Sequence, residues 1–335
     1  MTASAGDAAY LKAAAGLALR GRPLARPNPA VGCLIVSEGR VVGRGWTGDG
    51  GRPHAEAVAL RQAGIAAQGA SVYVTLEPCA HASPRGPACA DLLAAAAPAR
   101  VVIACRDPDP RTAGAGADRL RAAGIAVEWL ASDMAGETLE AHRLTYAVGR
   151  PHVTVKLALS LDGRIALPSG ESRWITGDAA RAHVHRRRAL ADAILVGGAT
   201  WRRDRPRLDV RLAGLETRSP QPVVLSREAI DGVRTIASPD AIGSLDGVRW
   251  LYVEGGGQTI AAFLAADLVD RLELYRAPIV IGDGVPAVGG IGLADLSAAH
   301  GRWRCAESAA LGDDDFEAYR RIRTPAGECA CSPES

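Results

Sequence analysis

The tightest constraint on this chain is a spaced set of three soft ligands and one acid. His54-Ala55-Glu56 is followed by Pro78-Cys79 and then by Cys89. One imidazole and two thiolates hold a Zn²⁺ tetrahedrally and leave its fourth position open to water. Glu56 stands two residues from His54, placed to move protons rather than to bind metal. Both ligand groups are expected to open helices. A helix N-terminus favours negative charge, so thiolates form there more easily.

The segments around these residues alternate. A helix is expected over about Ala8–Leu19, then strands Val31–Val36 and Val41–Gly45, helix His54–Ala63, strand Val72–Thr75 and a helix from Cys89. Strand Val101–Ala104, a helix around Ala117–Ala122 and strand Ile125–Trp129 follow, a three-layer α/β/α pattern. A helix from Asp133 to Val148 stops at Gly149-Arg150-Pro151. That punctuation sets the expected division: residues 1–148, residues 149–323, and a disordered tail, 324–335. The second part is expected to be a second α/β domain, with strands His152–Ala158, Ala193–Val196, Pro222–Leu225, Trp250–Val253 and Arg271–Tyr275. No internal repeat links the halves, so two different folds are expected.

Composition excludes several classes. The net charge of +2, with no basic run interleaved with aromatics, argues against nucleic acid as a partner. No apolar run is long enough to span a membrane, and the segment Ala13–Leu19 fits an amphipathic helix better than a signal peptide. Seven unevenly spaced cysteines point away from a disulfide framework and to a reducing, cytoplasmic setting. Cys33 and Cys105 read as core residues, and Cys329-Ala330-Cys331 as part of the polar tail. Arg186-Arg187-Arg188 reads as a solvated helix face or as an anion site.

An H-x-E…P-C arrangement is the pattern of zinc deaminases. There zinc acidifies a water and one carboxylate carries protons to the ring nitrogen and the leaving ammonia. The alternative is a closed structural site with His81 as fourth ligand. Asn28-Pro29-Ala30-Val31-Gly32, His54-Ala55-Glu56 and Thr75-Leu76-Glu77-Pro78-Cys79 together resemble the cytidine-deaminase-like fold. The long spacer Ala80–Ala88 resembles that of the bifunctional riboflavin biosynthesis deaminase-reductases. It is one residue longer than the usual S-H-H-G-R-T-P-P of that family. The resemblance implies that Asn28 helps hold a pyrimidine; otherwise it shapes the turn before Pro29.

The second half carries Lys156-Leu157-Ala158-Leu159-Ser160-Leu161-Asp162-Gly163-Arg164, then Glu171-Ser172-Arg173-Trp174, Val196-Gly197-Gly198-Ala199-Thr200 and Glu254-Gly255-Gly256-Gly257-Gln258-Thr259. In this order the set resembles the dihydrofolate-reductase-like domain of the same family, so the likeness spans about residues 8–310. It implies a zinc-dependent hydrolase (deaminase) and an NADPH-dependent oxidoreductase in one homo-oligomeric chain, acting on a small phosphorylated pyrimidine. Its substrate positions match Ser172, Arg188, Leu208, Arg211 and Glu254. Its cofactor positions match Ala158, Trp174, Thr200, Asp204, Ser226, Gly256, Gly257, Gln258, Thr259, Ile260, Ala261 and Ala262. Arg188 and Arg211 have the forked donors that grip phosphate. Trp174 reads as a stacking platform or a core aromatic. Lys156 stands out because Lys otherwise occurs only at Lys12; it reads as a proton donor or as a snorkelling edge lysine. Asp162 reads as a site acid or a turn former. Family members usually carry Asp-Asp-Pro or Asp-Asn-Pro where this chain has Asp204-Arg205-Pro206.

Overall fold

The computed structural model describes residues 5–81 and 84–323. Spacer residues Ala82 and Ser83 and the expected tail, with Cys329 and Cys331, lie outside the described residues.

Helix α1 (Ala5–Gly21) precedes strands β1 (Gly32–Ser37) and β2 (Arg40–Trp46). Then come α2 (Ala55–Ala63), β3 (Ser71–Leu76), α3 (Cys89–Ala96), β4 (Arg100–Cys105), α4 (Ala115–Ala122) and β5 (Ala126–Trp129). The strands form one sheet in the order β2-β1-β3-β4-β5. β1 is antiparallel to both neighbours, and β3, β4 and β5 run parallel. Strand side chains alternate between faces. Cys33, Ile35, Val72, Val74, Val101 and Ile103 meet Ala59 of α2, Leu93 of α3 and Leu120 of α4. Leu34, Val36, Tyr73 and Val102 meet Leu11 and Ala14 of α1 on the other face. Helices on both faces make the three layers.

The single helix expected over 133–148 is two, α5 (Asp133–Thr138) and α6 (Glu140–Val148). Leu139 between them is drawn fully into the first core and takes a non-helical φ of −104° and ψ of 0°.

After Gly149, which ends α6 at φ 69°, a second sheet begins. Its elements are β6 (His152–Leu159), α7 (Asp178–Arg188), β8 (Ala193–Gly197), α8 (Gly198–Asp204), β9 (Gln221–Leu225), β10 (Arg234–Ile236), β11 (Trp250–Val253), α9 (Gly257–Ala265) and β12 (Arg271–Arg276), closed by β14 (Trp303–Leu311) and β15 (Asp314–Arg321). A small ribbon pairs β7 (Arg164–Ala166) with β13 (Val285–Pro286). The large sheet runs β10-β9-β8-β11-β6-β12-β15-β14; all neighbours are parallel except that β15 is antiparallel to both β12 and β14. Val153, Val155, Leu157 and Leu159 of β6 face Ile260 and Phe263 of α9. The opposite face packs Tyr252, Tyr275 and Phe316 on Ala180 and Val184 of α7. β7, β10 and β13–β15 go beyond the expected strands. β14 is exposed along nearly its whole length, which is why it lacks an apolar alternation.

Polar contacts tie the two units together. The Arg22 guanidinium lies 3.6 Å from the Trp250 ring centre and donates to the Leu190 carbonyl at 2.8 Å. Arg320 of β15 bridges to Glu137 and Glu140 of α5 and α6, at 3.1 and 2.8 Å.

Candidate active sites

Three short segments meet at the first site. His54 is the N-cap of α2, Cys89 is the first residue of α3, and Cys79 follows β3 through Pro78. The ligand atoms of His54, Cys79 and Cys89 lie within 4.8 Å of one another. His54 Nδ1 is 3.2 Å from Cys89 Sγ and 3.6 Å from Cys79 Sγ. The Cys89 thiol and its backbone N–H both donate to Cys79, the latter at 3.3 Å, and with His54 they draw the Cys79 thiol well down. As donor, and buried beside Glu56, Cys89 is pushed up. One nitrogen and two sulfurs converging on a common point fit a zinc ion with one position left for water.

Glu56 sits in the first turn of α2, 3 % exposed. Burial raises its carboxyl above the usual range, against the pull of His54. Asn28 does more than shape the turn before Pro29. Its Nδ2 donates to the Gly51 carbonyl at 3.0 Å and lies 3.1 Å from His54 Nε2. Its loop is held by Val31 N–H donating to Thr47 Oγ1 (2.9 Å) and Gly32 N–H to Thr75 Oγ1 (3.1 Å). Among the described residues His81 does not join the converging ligand atoms, and its Nδ1 lies 3.3 Å from Thr112 Oγ1. A cleft of about 680 Å³ opens beside His54 and Cys89, with Arg52, Arg61 and Arg85 around it.

The second site lies at the C-terminal ends of the parallel strands, where ligands bind in open α/β sheets. Arg188, at the end of α7, holds Glu254 by two bonds, Nε–Oε1 at 2.6 Å and a second nitrogen to Oε2 at 2.8 Å. A third donation goes to the Asp209 carbonyl at 3.0 Å. Lys156 stands beside them and burial lowers its ammonium, opposed by Glu254. It is not an edge lysine, because β6 lies between β11 and β12. The solvated-face reading of the arginine run also fails for two of the three. Arg187 bridges to Glu273 and Glu307 at 3.0 and 2.6 Å, and Arg188 is committed to Glu254; only Arg186 is exposed. Arg211 is exposed, 3.5 Å from Asp209. Asp209 and His185, whose Nδ1 accepts from Arg211 N–H at 3.2 Å, belong to this cluster and carry no motif of their own.

The cofactor positions split. Gly197 opens α8 and Gly256 caps α9, and neither offers a side-chain cap. A Cβ on Gly197 would fall 2.3 Å from Thr259 Oγ1, and one on Gly255 would fall 2.6 Å from Thr259 Cβ. Glycine at both positions lets these two turns close on Thr259 without a side-chain clash. The start of α9 has no side-chain cap, and a helix start of that kind suits a phosphate, as in a dinucleotide. Ile260 and Ala261, however, turn their side chains into the protein, so only their backbone faces that end. Thr200 and Ser226 are half-buried beside this junction, and a Cβ on Gly198 would meet Ser226 at 3.2 Å. Asp204 pairs with Arg203 at 2.8 Å. Trp174 is 64 % exposed under the Arg181 guanidinium, not a core aromatic, and Ser172 beside it is also exposed. Ala158 lies on the same face of β6 as Lys156. Leu208 is buried in the second domain's core at φ 55°, so it offers backbone rather than side chain. Asp162 accepts from Ser160 Oγ (2.6 Å) and from the N–H groups of Ile281 and Gly282 (3.1 and 2.7 Å). It pins a distant loop as well as its own turn.

Residues 5–105 match the cytidine and deoxycytidylate deaminase zinc-binding region, and residues 151–240 and 233–315 match the RibD C-terminal domain. The riboflavin biosynthesis protein RibD of Escherichia coli K12 is 39 % identical over 326 residues, covering 82 % of this chain and 89 % of that protein. RibD of Mycobacterium tuberculosis H37Rv is 40 % identical over 306 residues, 86 % and 89 % of the two chains. Among solved structures, Acinetobacter baumannii RibD superposes with a TM-score of 0.83 at 34 % identity over 95 % of this chain and 99 % of that one. The Thermotoga maritima diaminohydroxyphosphoribosylaminopyrimidine deaminase/5-amino-6-(5-phosphoribosylamino)uracil reductase superposes at 0.84 with 28 % identity, over 94 % and 99 %. With both halves matched in order over most of its length, the chain belongs to the RibD family of bifunctional deaminase–reductases of riboflavin biosynthesis.

Proposed function

We propose that residues 1–148 deaminate 2,5-diamino-6-ribosylamino-4(3H)-pyrimidinone 5′-phosphate and that residues 149–323 then reduce its ribosyl chain to ribityl. The observation that carries this reading is the pairing, in one chain, of the His54–Cys79–Cys89 triad with the Arg188–Glu254–Lys156 cluster beside a glycine-lined helix start.

In the first domain His54, Cys79 and Cys89 hold zinc. Bound zinc supplies a water acidified to a pKa of around 7. Glu56 would take one proton from the attacking water and pass it to the ring nitrogen, then take the proton of the hydroxyl left on the tetrahedral carbon and pass it to the departing amine. One water enters and one ammonia leaves, and the amino-bearing carbon becomes a carbonyl. Asn28, fixed against Gly51 beside His54, orients the pyrimidine.

In the second domain the α9 N-terminus, from Gly256 to Ala262, with Thr200, Asp204 and Ser226, holds NADPH, which supplies a hydride. Ala158 and Trp174 border the reacting face. Arg211, exposed at the rim, binds the substrate phosphate, with Ser172 and the Leu208 backbone beside it. Glu254, held by Arg188, faces the sugar hydroxyls, and Lys156 places a proton donor near the ring-opened sugar. Asp162 acts here through the loop it pins. The enzyme works in the cytoplasm as a homodimer or larger homo-oligomer; among the described residues no helix is long and apolar enough to cross a membrane.

The test uses zinc-replete protein, the diaminopyrimidinone ribosyl phosphate and NADPH in one cuvette. Ammonia release followed by NADPH oxidation that depends on it is the expected result. Ammonia without NADPH loss would confine the error to the second domain. No ammonia from zinc-loaded protein would end the substrate assignment.

A further inference from the structure

The zinc ligand Cys79 lies on a turn with no regular structure of its own, between β3 and the described end of the segment at His81. Something must fix its direction. On one side Cys79 Sγ accepts from Cys89 N–H at 3.3 Å, and its carbonyl accepts from Ala90 N–H at 3.1 Å. On the other side stands Glu77, 2 % exposed and two residues before the ligand. Its backbone N–H donates to the Cys105 carbonyl at 2.9 Å. Its Oε2 accepts from the N–H groups of Asp107 (3.4 Å) and Gly114 (3.1 Å), and its Oε1 from those of Gly116 (3.1 Å) and Ala117 (3.2 Å).

Gly114 is the N-cap of α4, so the carboxylate occupies that helix's otherwise unpaired donors. The two parts are packed as tightly as backbone allows: a Cβ on Gly116 would fall 1.9 Å from the Pro78 carbonyl oxygen. His81, beyond the ligand, pairs with Thr112 of the same loop. The turn bearing Cys79 is therefore clamped before and after the ligand by residues 105–117, which contribute nothing to the metal themselves.

An acid beside a zinc ligand invites a proton-transfer role. Glu77 has no lone pair directed at the cleft, because both oxygens are engaged by four backbone N–H groups. We propose that Glu77 is a positioning residue, which fixes the Pro78-Cys79 turn on the start of α4 and so sets where the Cys79 thiolate meets the metal. The proposal rests on the zinc-deaminase reading of the first site.

The test compares the full-length protein with Glu77→Gln, in which an amide NH₂ replaces one acceptor and faces backbone donors. Zinc affinity is measured by competition with a chromophoric chelator, and ligand geometry from the absorption bands of the Co²⁺-substituted protein. The expected result is zinc binding weakened about 10- to 100-fold, the size seen when supporting partners of metal ligands are removed. A changed Co²⁺ spectrum and deamination that recovers as zinc is raised should accompany it. NADPH oxidation with the deaminated substrate should match wild type, which shows that the chain is folded. Unchanged affinity and spectrum would overturn the proposal. So would normal metal binding with deamination lost at every zinc concentration, since Glu77 would then act on the substrate. Wild-type protein that bound no zinc would instead overturn the reading of the site itself. Should Glu77→Gln not fold, Glu77→Asp carries the same readouts, its carboxylate one methylene short of the four donors.

Discussion

Arg188 and Glu254, 66 positions apart, close a two-point ion pair with the side chains only 11 % and 12 % exposed. Burial alone disfavours both charges. Each nevertheless shifts toward its charged form, Arg188 upward and Glu254 downward, because the partner outweighs the burial. Glu254→Gln would leave a largely buried guanidinium without its counter-charge, at a cost of about 3 kcal/mol. The expected outcome is a lower Tm and a reductase kcat/KM reduced at least about tenfold, with ammonia release unchanged. Assaying each half-reaction with its own substrate checks this. Full reductase activity in the variant would remove Glu254 from the site.

Glu56→Gln keeps the shape of the first site and takes away the proposed proton carrier. Zinc content should stay at the wild-type level, because the proposed ligands, His54, Cys79 and Cys89, are untouched. Ammonia release should fall by about 10²- to 10⁴-fold, the usual contribution of a general acid–base group. Reduction of supplied deaminated substrate should continue. Stripping the metal from wild-type protein with a chelator should give the same split between the half-reactions, and restoring zinc should reverse it. Substantial deamination by the metal-loaded variant would rule out Glu56 as the proton carrier.

The zinc site was legible because its chemistry is written locally. His54 and Glu56 share a helix start, Cys89 opens another, and the apolar alternation of Val72–Val74 shows the strand that leads to Cys79. The candidate second site shows in the sequence only as an ordered set of motifs. What no motif revealed was how its charges are spent. Arg187 and Arg188 look like a solvated run until Glu273 of β12, Glu307 of β14 and Glu254 after β11 are folded against them. Those partners come from strands far along the chain, and β14 itself shows no apolar period because it is an exposed edge. Asp162 illustrates the same limit: its turn is readable, but its bonds to Ile281 and Gly282 are not. Leu139 broke a helix that its neighbours favoured because the core drew it in.

Arg205 stands where the family usually carries Asp or Asn, and the backbone shows why those residues suit the place. It ends α8 at φ 38° and ψ 56°, in the left-handed region, with its N–H bonded to the Trp201 carbonyl at 3.1 Å. That conformation is costly for most side chains and easier for Asn, whose short amide bonds locally. Arg205→Asn should therefore stabilise the protein by roughly 0.5 kcal/mol, read as a small rise in the urea midpoint at unchanged slope. Reductase activity should be kept, because Asp204 and Pro206 are untouched. A destabilised Arg205→Asn protein would show that the Arg205 side chain makes a contribution larger than the backbone cost.

Glu140 joins the two domains and makes that junction sensitive to acid. It lies on α6, 2.8 Å from Arg320 of β15 and 3.6 Å from His152 at the start of β6. Burial alone would raise its pKa; His152 and Arg320 reverse this and hold it at about 2, against an ordinary value of 4.5. Between those values the folded chain binds fewer protons at this site than the unfolded chain. The contribution is therefore complete above pH 4.5 and is lost as pH falls toward 2. The side chain is 31 % exposed, so solvent screens part of it, and about 1–2 kcal/mol is expected at neutral pH. Glu140→Gln should lose that amount at pH 7 and progressively less at lower pH, so that wild type and variant converge near pH 2. Urea unfolding of both proteins across this range measures the gap directly. A gap of equal size at pH 7 and pH 3 would mean that Glu140 stabilises the junction by packing and not by charge.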